Sequence, residues 1–173
     1  MDLKSRIREV PDFPKKGIVF KDITTLLADP SAFGAAVERM EEVLHGRRVD
    51  KIVCVEARGF LFGAPLALRL GAGLVPVRKP GKLPAETIRE EYTLEYGTDS
   101  VEMHRDAIRS GDHVVLVDDL LATGGTAAAA ARLVERAGGT VECLLFLIEL
   151  SFLSGRRLLG GREILSLIEY GGE

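Results

Sequence analysis

The sequence predicts an α/β fold, a mainly parallel sheet flanked by helices, and three observations carry that prediction. Apolar runs such as Ile52-Val53-Cys54-Val55 and Val114-Val115-Leu116-Val117 read as strands buried on both faces. Helical stretches lie between these runs, so strand and helix alternate as right-handed crossovers in a parallel sheet require. Glycine supplies 19 of 173 residues while aromatics reach only 6%, a composition suited to tight turns at strand ends.

Residues 1–28 mix charges with Pro11, Pro14 and Gly17 and read as a short helix followed by an irregular arm. A helix follows. Asp29 is its N-cap and Pro30 its first position, Phe33, Val37, Met40 and Leu44 recur at helical spacing, and Gly46 stops it. Lys51 to Val55 is a strand, Phe60 to Leu70 a helix and Leu74 to Val77 a second strand, which makes a βαβ unit. Residues 79–105 are broken by Pro80, Gly81, Pro84 and Gly97, yet Tyr92 to Tyr96 and Val101 to His104 alternate as strands do. They read as a long, partly exposed hairpin. His113 to Val117 is a buried strand, Gly124 to Ala137 an Ala-rich helix ended by Gly138-Gly139, and Val141 to Ile148 another strand. With no internal repeat, the whole of residues 1–173 reads as one domain.

Charge and composition exclude several function classes. A net charge of −3 and a pI near 5.7 advertise no nucleic-acid partner and no acidic membrane surface, so any phosphate site must be local. The opening Met1-Asp2-Leu3-Lys4 is charged, and no window approaches the roughly 18 apolar residues that a membrane span needs; a cytoplasmic protein is expected. Cys54 and Cys143 sit inside apolar runs and read as inert core thiols. His45, His104 and His113 lack metal-ligand spacing, no HExxH, CxxC or GxSxG occurs, and no metal held by protein side chains is expected. No GxGxxG follows a strand, which removes nicotinamide-dependent chemistry.

In a doubly wound sheet, ligands bind beyond the carboxyl ends of the strands, which directs attention to the turns after Val55 and Val117. The second turn reads Asp118-Asp119-Leu120-Leu121-Ala122-Thr123-Gly124-Gly125-Thr126. Successive backbone N–H groups of Thr123 to Thr126, with two hydroxyls and a helix N-terminus, form a cradle for a phosphate monoester. The paired carboxylates would repel that phosphate directly, but accept hydrogen bonds from ribose hydroxyls a short distance away. The segment is shaped for a ribose 5-phosphate.

This segment resembles the phosphoribosyl pyrophosphate (PRPP) motif of the type I phosphoribosyltransferase family. The resemblance extends to Phe13 through Ile23, similar to a base-binding arm, to Glu56-Ala57-Arg58-Gly59-Phe60, similar to a pyrophosphate loop, and to Arg78 through Pro84 with Leu94-Glu95-Tyr96-Gly97, similar to a flexible lid. Lys21 stands where the family often has Arg. The resemblance implies the type I phosphoribosyltransferase fold, with residues 1–28 as an arm and 79–105 as a flexible hairpin lid, and a homodimer. The implied reaction is transfer of the 5-phosphoribosyl group from PRPP to adenine, giving AMP and pyrophosphate, in purine salvage. By the same resemblance, Asp118, Asp119, Ala122, Thr123, Gly124, Gly125, Thr126, Arg58 and Lys82 bind PRPP. Val19, Phe20, Lys21 and Leu120 bind adenine, Glu95 and Arg58 are catalytic, and Tyr96 belongs to the lid. Mg²⁺ is expected to be held mainly by substrate and water. A cis peptide within Glu56-Ala57-Arg58 is implied as well. A transferase for xanthine, hypoxanthine or guanine would share the phosphate loop, but the Val19-Phe20-Lys21 arm argues against it. A PRPP-sensing transcriptional regulator would need a DNA-binding module and a basic face.

Overall fold

The computed structural model describes residues 1–94 and 97–172. Five parallel strands form its central sheet: β3 (Lys51–Val55), β4 (Gly73–Val77), β7 (His113–Leu121), β8 (Thr140–Leu150) and β9 (Ile164–Tyr170), in the order β4-β3-β7-β8-β9. Helix α3 (Arg58–Leu70) links β3 to β4, and α4 (Gly125–Arg136) links β7 to β8. The first link runs toward one sheet edge and the second toward the other. Adjacent strands β3 and β7 therefore send their following loops apart, which opens a crevice at their carboxyl ends.

The two faces of the sheet sort by alternation. Ile52 and Cys54 of β3, Val115 and Val117 of β7, and Cys143 and Leu145 of β8 face one core with α2 (Pro30–Glu42) and α3. Val53 and Val55, Val114 and Leu116, and Leu144 and Phe146 face the other, covered by α4 and its buried alanines. Both faces are dry, which is why these strands read as unbroken apolar runs. Burial pushes the thiols of Cys54 and Cys143 up to about 12 and about 11, respectively, as befits inert core groups. Close packing of α3 on β3 depends on Gly63, where a Cβ would lie 2.8 Å from that of Cys54. Asp29 caps α2 as read, accepting from the N–H groups of Ser31 and Ala32 at 2.9 and 3.2 Å, with Pro30 leading the helix.

Beyond strand β9, which the sequence reading does not assign, three segments depart from it. The arm is not irregular: after a 3-10 turn at Lys4–Arg6, β1 (Arg8–Pro11) and β2 (Val19–Asp22) pair antiparallel and a short helix α1 (Thr24–Ala28) follows. The hairpin of residues 79–105 exists, but its strands are β5 (Thr87–Thr93) and β6 (Thr98–His104), so the first begins earlier than the alternation of Tyr92 to Tyr96 suggested. Strand β7 does not end at Val117. It runs on through Asp118 and Asp119 to Leu121, in register with β8 as far as Glu149, so the two carboxylates stand on a strand and not in a loop.

The arm is tied to the far end of the chain. Lys21 is buried, donates to Glu9 at 2.8 Å and lies 4.4 Å from the ring centre of Tyr170 in β9, while Lys4 approaches the same ring at 4.3 Å. Lys4 also donates to the carbonyl of Glu169 at 2.9 Å.

Candidate active site

Two adjoining cavities lie in the crevice at the ends of β3 and β7. The larger, about 240 Å³, is lined by Val55, Glu56, Ala57, Arg58, Lys79, Val101, Asp118, Asp119 and Thr126. The smaller, about 100 Å³, is lined by Asp118 and by Leu120 through Ala127. Asp118 and Thr126 wall both, so the two form one elongated site with a small end and a cationic end.

The small end is the turn into α4. Gly124 has φ +87°, a left-handed conformation that L side chains rarely adopt, and it turns the chain from Thr123 into the helix. Neither α4 nor α3 has a side-chain cap, in contrast to α2. No side chain caps the N-terminal N–H groups of either site helix, although Phe60 of α3 donates to the Ala57 carbonyl at 3.2 Å.

At the other end the charges are already paired. Arg58, the first residue of α3, donates through Nε to Asp119 Oδ2 at 2.5 Å, and its guanidinium lies 5.9 Å from the Phe20 ring centre of the arm. The peptide between Glu56 and Ala57 is cis. Glu56 accepts from Arg78 at 2.5 Å and from Lys82 at 2.7 Å. Burial acts to raise the Glu56 carboxyl, but the bonds from Lys82 and Arg78 outweigh it and hold its pKa below the ordinary value. Lys79 bonds to Asp99 and, at 2.9 Å, to the Tyr92 hydroxyl, a cross-strand pair near the turn of the hairpin.

The two neighbouring carboxylates on β7 have different surroundings. Asp119 is 5% exposed and held by Arg58. Asp118 is partly exposed as a residue, yet its carboxyl packs against Gly59, where a Cβ would lie 3.0 Å from Oδ1, and the oxygen accepts from the Asp119 N–H at 2.8 Å. Burial first, and the neighbouring Asp119 charge second, raise its pKa well above the usual carboxylate range. The folded protein therefore keeps a proton on Asp118 at pH values where the unfolded chain has lost it, and stability contributed by this group falls as pH rises between those two values. Asp118→Asn cannot ionise, so without ligand it is expected to melt above the wild type at about pH 7, with the gap closing toward about pH 4. Calorimetry across that range checks this; an equal or lower midpoint at every pH would contradict it.

The crevice thus brings together Arg58, Asp118, Asp119, Leu120, Ala122, Thr123, Gly124, Gly125 and Thr126, with Lys82 joined through Glu56 and Phe20 through Arg58. It does not bring in the Lys21 side chain, which turns to Glu9 and Tyr170. Glu95 and Tyr96 lie outside the described residues. Glu56 and Arg78 were not singled out as site residues from sequence; the signal was a lone acid at a strand end opposite the cationic stretch Arg78-Lys79-Pro80-Gly81-Lys82.

Comparison with known proteins agrees with this geometry. The phosphoribosyl transferase domain family matches residues 24–149. The chain belongs to the phosphoribosyltransferase family. This phosphoribosyltransferase is 62% identical over 169 residues to the adenine phosphoribosyltransferase of Thermoanaerobacter sp. (strain X514), covering 98% of each chain. It is 57% identical over 170 residues to that of Clostridium perfringens, covering 98% of this chain and 99% of the other. The crystal structure of the Thermoanaerobacter pseudethanolicus adenine phosphoribosyltransferase superposes with a TM-score of 0.95 over 98% of both chains at 62% identity. That of Saccharomyces cerevisiae, complexed with an imino-altritol bisphosphate and adenine, gives 0.91 over 96% of both chains at 42% identity. The expected fold, a mainly parallel sheet flanked by helices, is therefore correct; the sheet has five strands, one more than the sequence reading assigned.

Proposed function

We propose that this phosphoribosyltransferase moves the 5-phosphoribosyl group of PRPP onto adenine, releasing pyrophosphate and forming AMP for purine salvage. The observation that carries the reading is the elongated crevice: a glycine turn at one end, paired carboxylates in the middle and arginine and lysine at the other. That order matches the 5-phosphate, ribose hydroxyls and pyrophosphate of PRPP. The 62%-identical adenine phosphoribosyltransferases support the choice of base.

In this reading the N–H groups of Thr123 to Thr126 hold the 5-phosphate and the ribose hydroxyls donate to Asp118 and Asp119. Arg58 and Lys82 leave Asp119 and Glu56 for the pyrophosphate, so substrate replaces two internal ion pairs. Displacement at the anomeric carbon passes through an oxocarbenium-like state, and the protein's work is alignment and stabilisation of the departing charge. Mg²⁺ fits as a companion of the substrate: Glu56 and Asp119 already accept from cations, and pyrophosphate and ribose oxygens with water supply the oxygen ligands it prefers. When bound it would neutralise pyrophosphate charge. The hairpin, as a lid over the crevice, excludes water that would hydrolyse PRPP.

The test is incubation with PRPP, Mg²⁺ and each purine base in turn, with nucleotide and pyrophosphate both measured. Adenine alone should give stoichiometric AMP and pyrophosphate; turnover of hypoxanthine or guanine at comparable efficiency would overturn the reading. Among the described residues, no helix is long and apolar enough to cross a membrane. A cytoplasmic location is supported by the free thiols of Cys54 and Cys143 and is tested by cell fractionation.

A homodimer belongs to the same proposal. Leu61 and Leu68, two helical turns apart on α3, are 43% and 84% exposed, and Leu74 on edge strand β4 is 45% exposed. Of the run Phe60-Leu61-Phe62 at the start of α3, Phe62 is fully buried and Phe60 packs partly buried against the core, which leaves Leu61 as the exposed member. Leu68→Asp is expected to halve the mass seen by light scattering from twice 18.8 kDa. A wild type of 18.8 kDa would end the dimer assignment.

A further inference from the structure

The small end of the crevice has a backing that lies outside the matched domain residues 24–149. After β8 the chain forms two 3-10 turns, Ser151–Leu153 and Gly155–Leu159, joined at Ser154, a non-glycine residue with φ +55°. The second turn is pressed against the phosphate turn, glycine to glycine. A Cβ on Gly124 would collide with the carbonyl oxygen of Gly155, and a Cβ on Gly155 with the carbonyl oxygen of Ala122. Neither backbone has room to retreat while the other stays in place.

The adjacent Arg156 fixes this backing to the sheet. Its Nε and Nη2 each donate to one oxygen of Glu149 at 2.6 Å, and Nη1 donates to the carbonyl of Ile164 in β9 at 3.2 Å. Glu149, near the end of β8, is 4% exposed and accepts a further bond from Ser166 of β9 at 2.8 Å. It is in register with Leu121 of β7, the residue just before Ala122. The bond from Arg156 is the chief cause that holds the Glu149 carboxyl below its ordinary pKa, against burial. A continuous rigid path therefore runs from β8 and β9 through Glu149 and Arg156 to Gly155 and onto Gly124.

We infer that Glu149 and Arg156 are positioning residues for the 5-phosphate end of the site: they hold Gly155 behind Gly124 and so aim the N–H groups of Thr123 to Thr126. The inference rests on the reading that this turn takes the 5-phosphate of PRPP. A planar fork gripping both carboxylate oxygens fixes direction as well as distance, which a lysine ammonium does not reproduce.

Arg156→Lys, Glu149→Gln and the milder Ser166→Ala test it, each checked by melting, with ribose 5-phosphate, AMP, pyrophosphate and adenine as separate probes. In Arg156→Lys and Glu149→Gln the Kd for ribose 5-phosphate and the KM for PRPP should rise roughly 10- to 100-fold, the scale of a misplaced binding group. Ser166→Ala, which loses one bond and retains the fork, should give a smaller rise in the same two constants. Pyrophosphate binding and the KM for adenine should stay within about twofold, whereas a merely structural role would weaken all ligands together. Folded variants with unchanged ribose 5-phosphate affinity, or with a parallel loss for adenine and pyrophosphate, would overturn the inference. Failure of the wild type itself to bind ribose 5-phosphate would instead remove the phosphate reading beneath it.

Discussion

Asp119→Ala is expected to lower kcat/KM for PRPP by about 10²–10⁴, from the loss of two charge-assisted ribose bonds at roughly 1.5–3 kcal/mol each. Asp119→Asn keeps the shape and removes the charge, and the drop should be at least about tenfold. The alanine variant also frees Arg58, its partner at 2.5 Å. Pyrophosphate affinity should therefore hold or strengthen while PRPP affinity falls. That opposite movement separates a ribose contact from a general loss of the site. Wild-type kinetics in a folded Asp119→Ala protein would remove the ribose assignment.

The second large effect concerns the choice of base. Strand β2 has a strand neighbour on one side only, so alternate residues of Val19 to Asp22 turn their N–H and C=O groups away from β1. Adenine offers an N6 donor beside an N1 acceptor, which a carbonyl at Val19 and an N–H at Lys21 would complement. Hypoxanthine presents a 6-oxo acceptor and an N1 donor, so both pairings invert and buried polar groups are left unmatched. Sites of this kind discriminate by about 10⁴ in kcat/KM. The buried Lys21 side chain points to Glu9 and Tyr170, so Lys21→Ala should slow turnover by loosening the arm while leaving the preference intact. The check is kcat/KM for adenine, hypoxanthine and guanine in both proteins. A switched preference in Lys21→Ala would show that the side chain, and not the main chain, reads the base.

The parts of the fold legible in the sequence are those where one physical demand dominates. Strands β3, β7 and β8 are wet on neither face, and a run such as Ile52-Val53-Cys54-Val55 has few other readings at that length. Asp29-Pro30 announced α2 because capping is local chemistry. The arm was misread because β1, Arg8–Pro11, is mostly exposed and contains a proline, so no alternation marks it. Strand β9 was missed for a similar reason: most of Ile164–Tyr170 is only half-buried at the sheet edge. The early end assigned to β7 has a different cause. Asp118 and Asp119 look like loop residues because carboxylates in a strand core are costly, and they stand there because the site needs them. The phosphate turn was plain from its glycines and hydroxyls, but its backing by Gly155 and the pairing of Glu56 with Arg78 join residues far apart in sequence, and no local spacing reveals them.

The grip of β9 on the arm also bears on the order in which the protein is made. Lys4 and the Glu169 carbonyl it bonds are 165 residues apart, and Lys21 must await Tyr170 before its ring contact exists. During synthesis the proposed base-reading arm emerges among the first segments and is completed among the last, after the sheet that carries the phosphate turn has its neighbours. A nascent chain halted before β9 would hold β3, β4, β7 and β8 with the arm packed on α2 through Leu3, Ile7, Ile23 and Leu26 but without its contacts to Glu169 and Tyr170. The backing of the phosphate turn waits on the same strand, since Arg156 and Glu149 bond to Ile164 and Ser166, so both ends of the site are completed by the last strand to emerge.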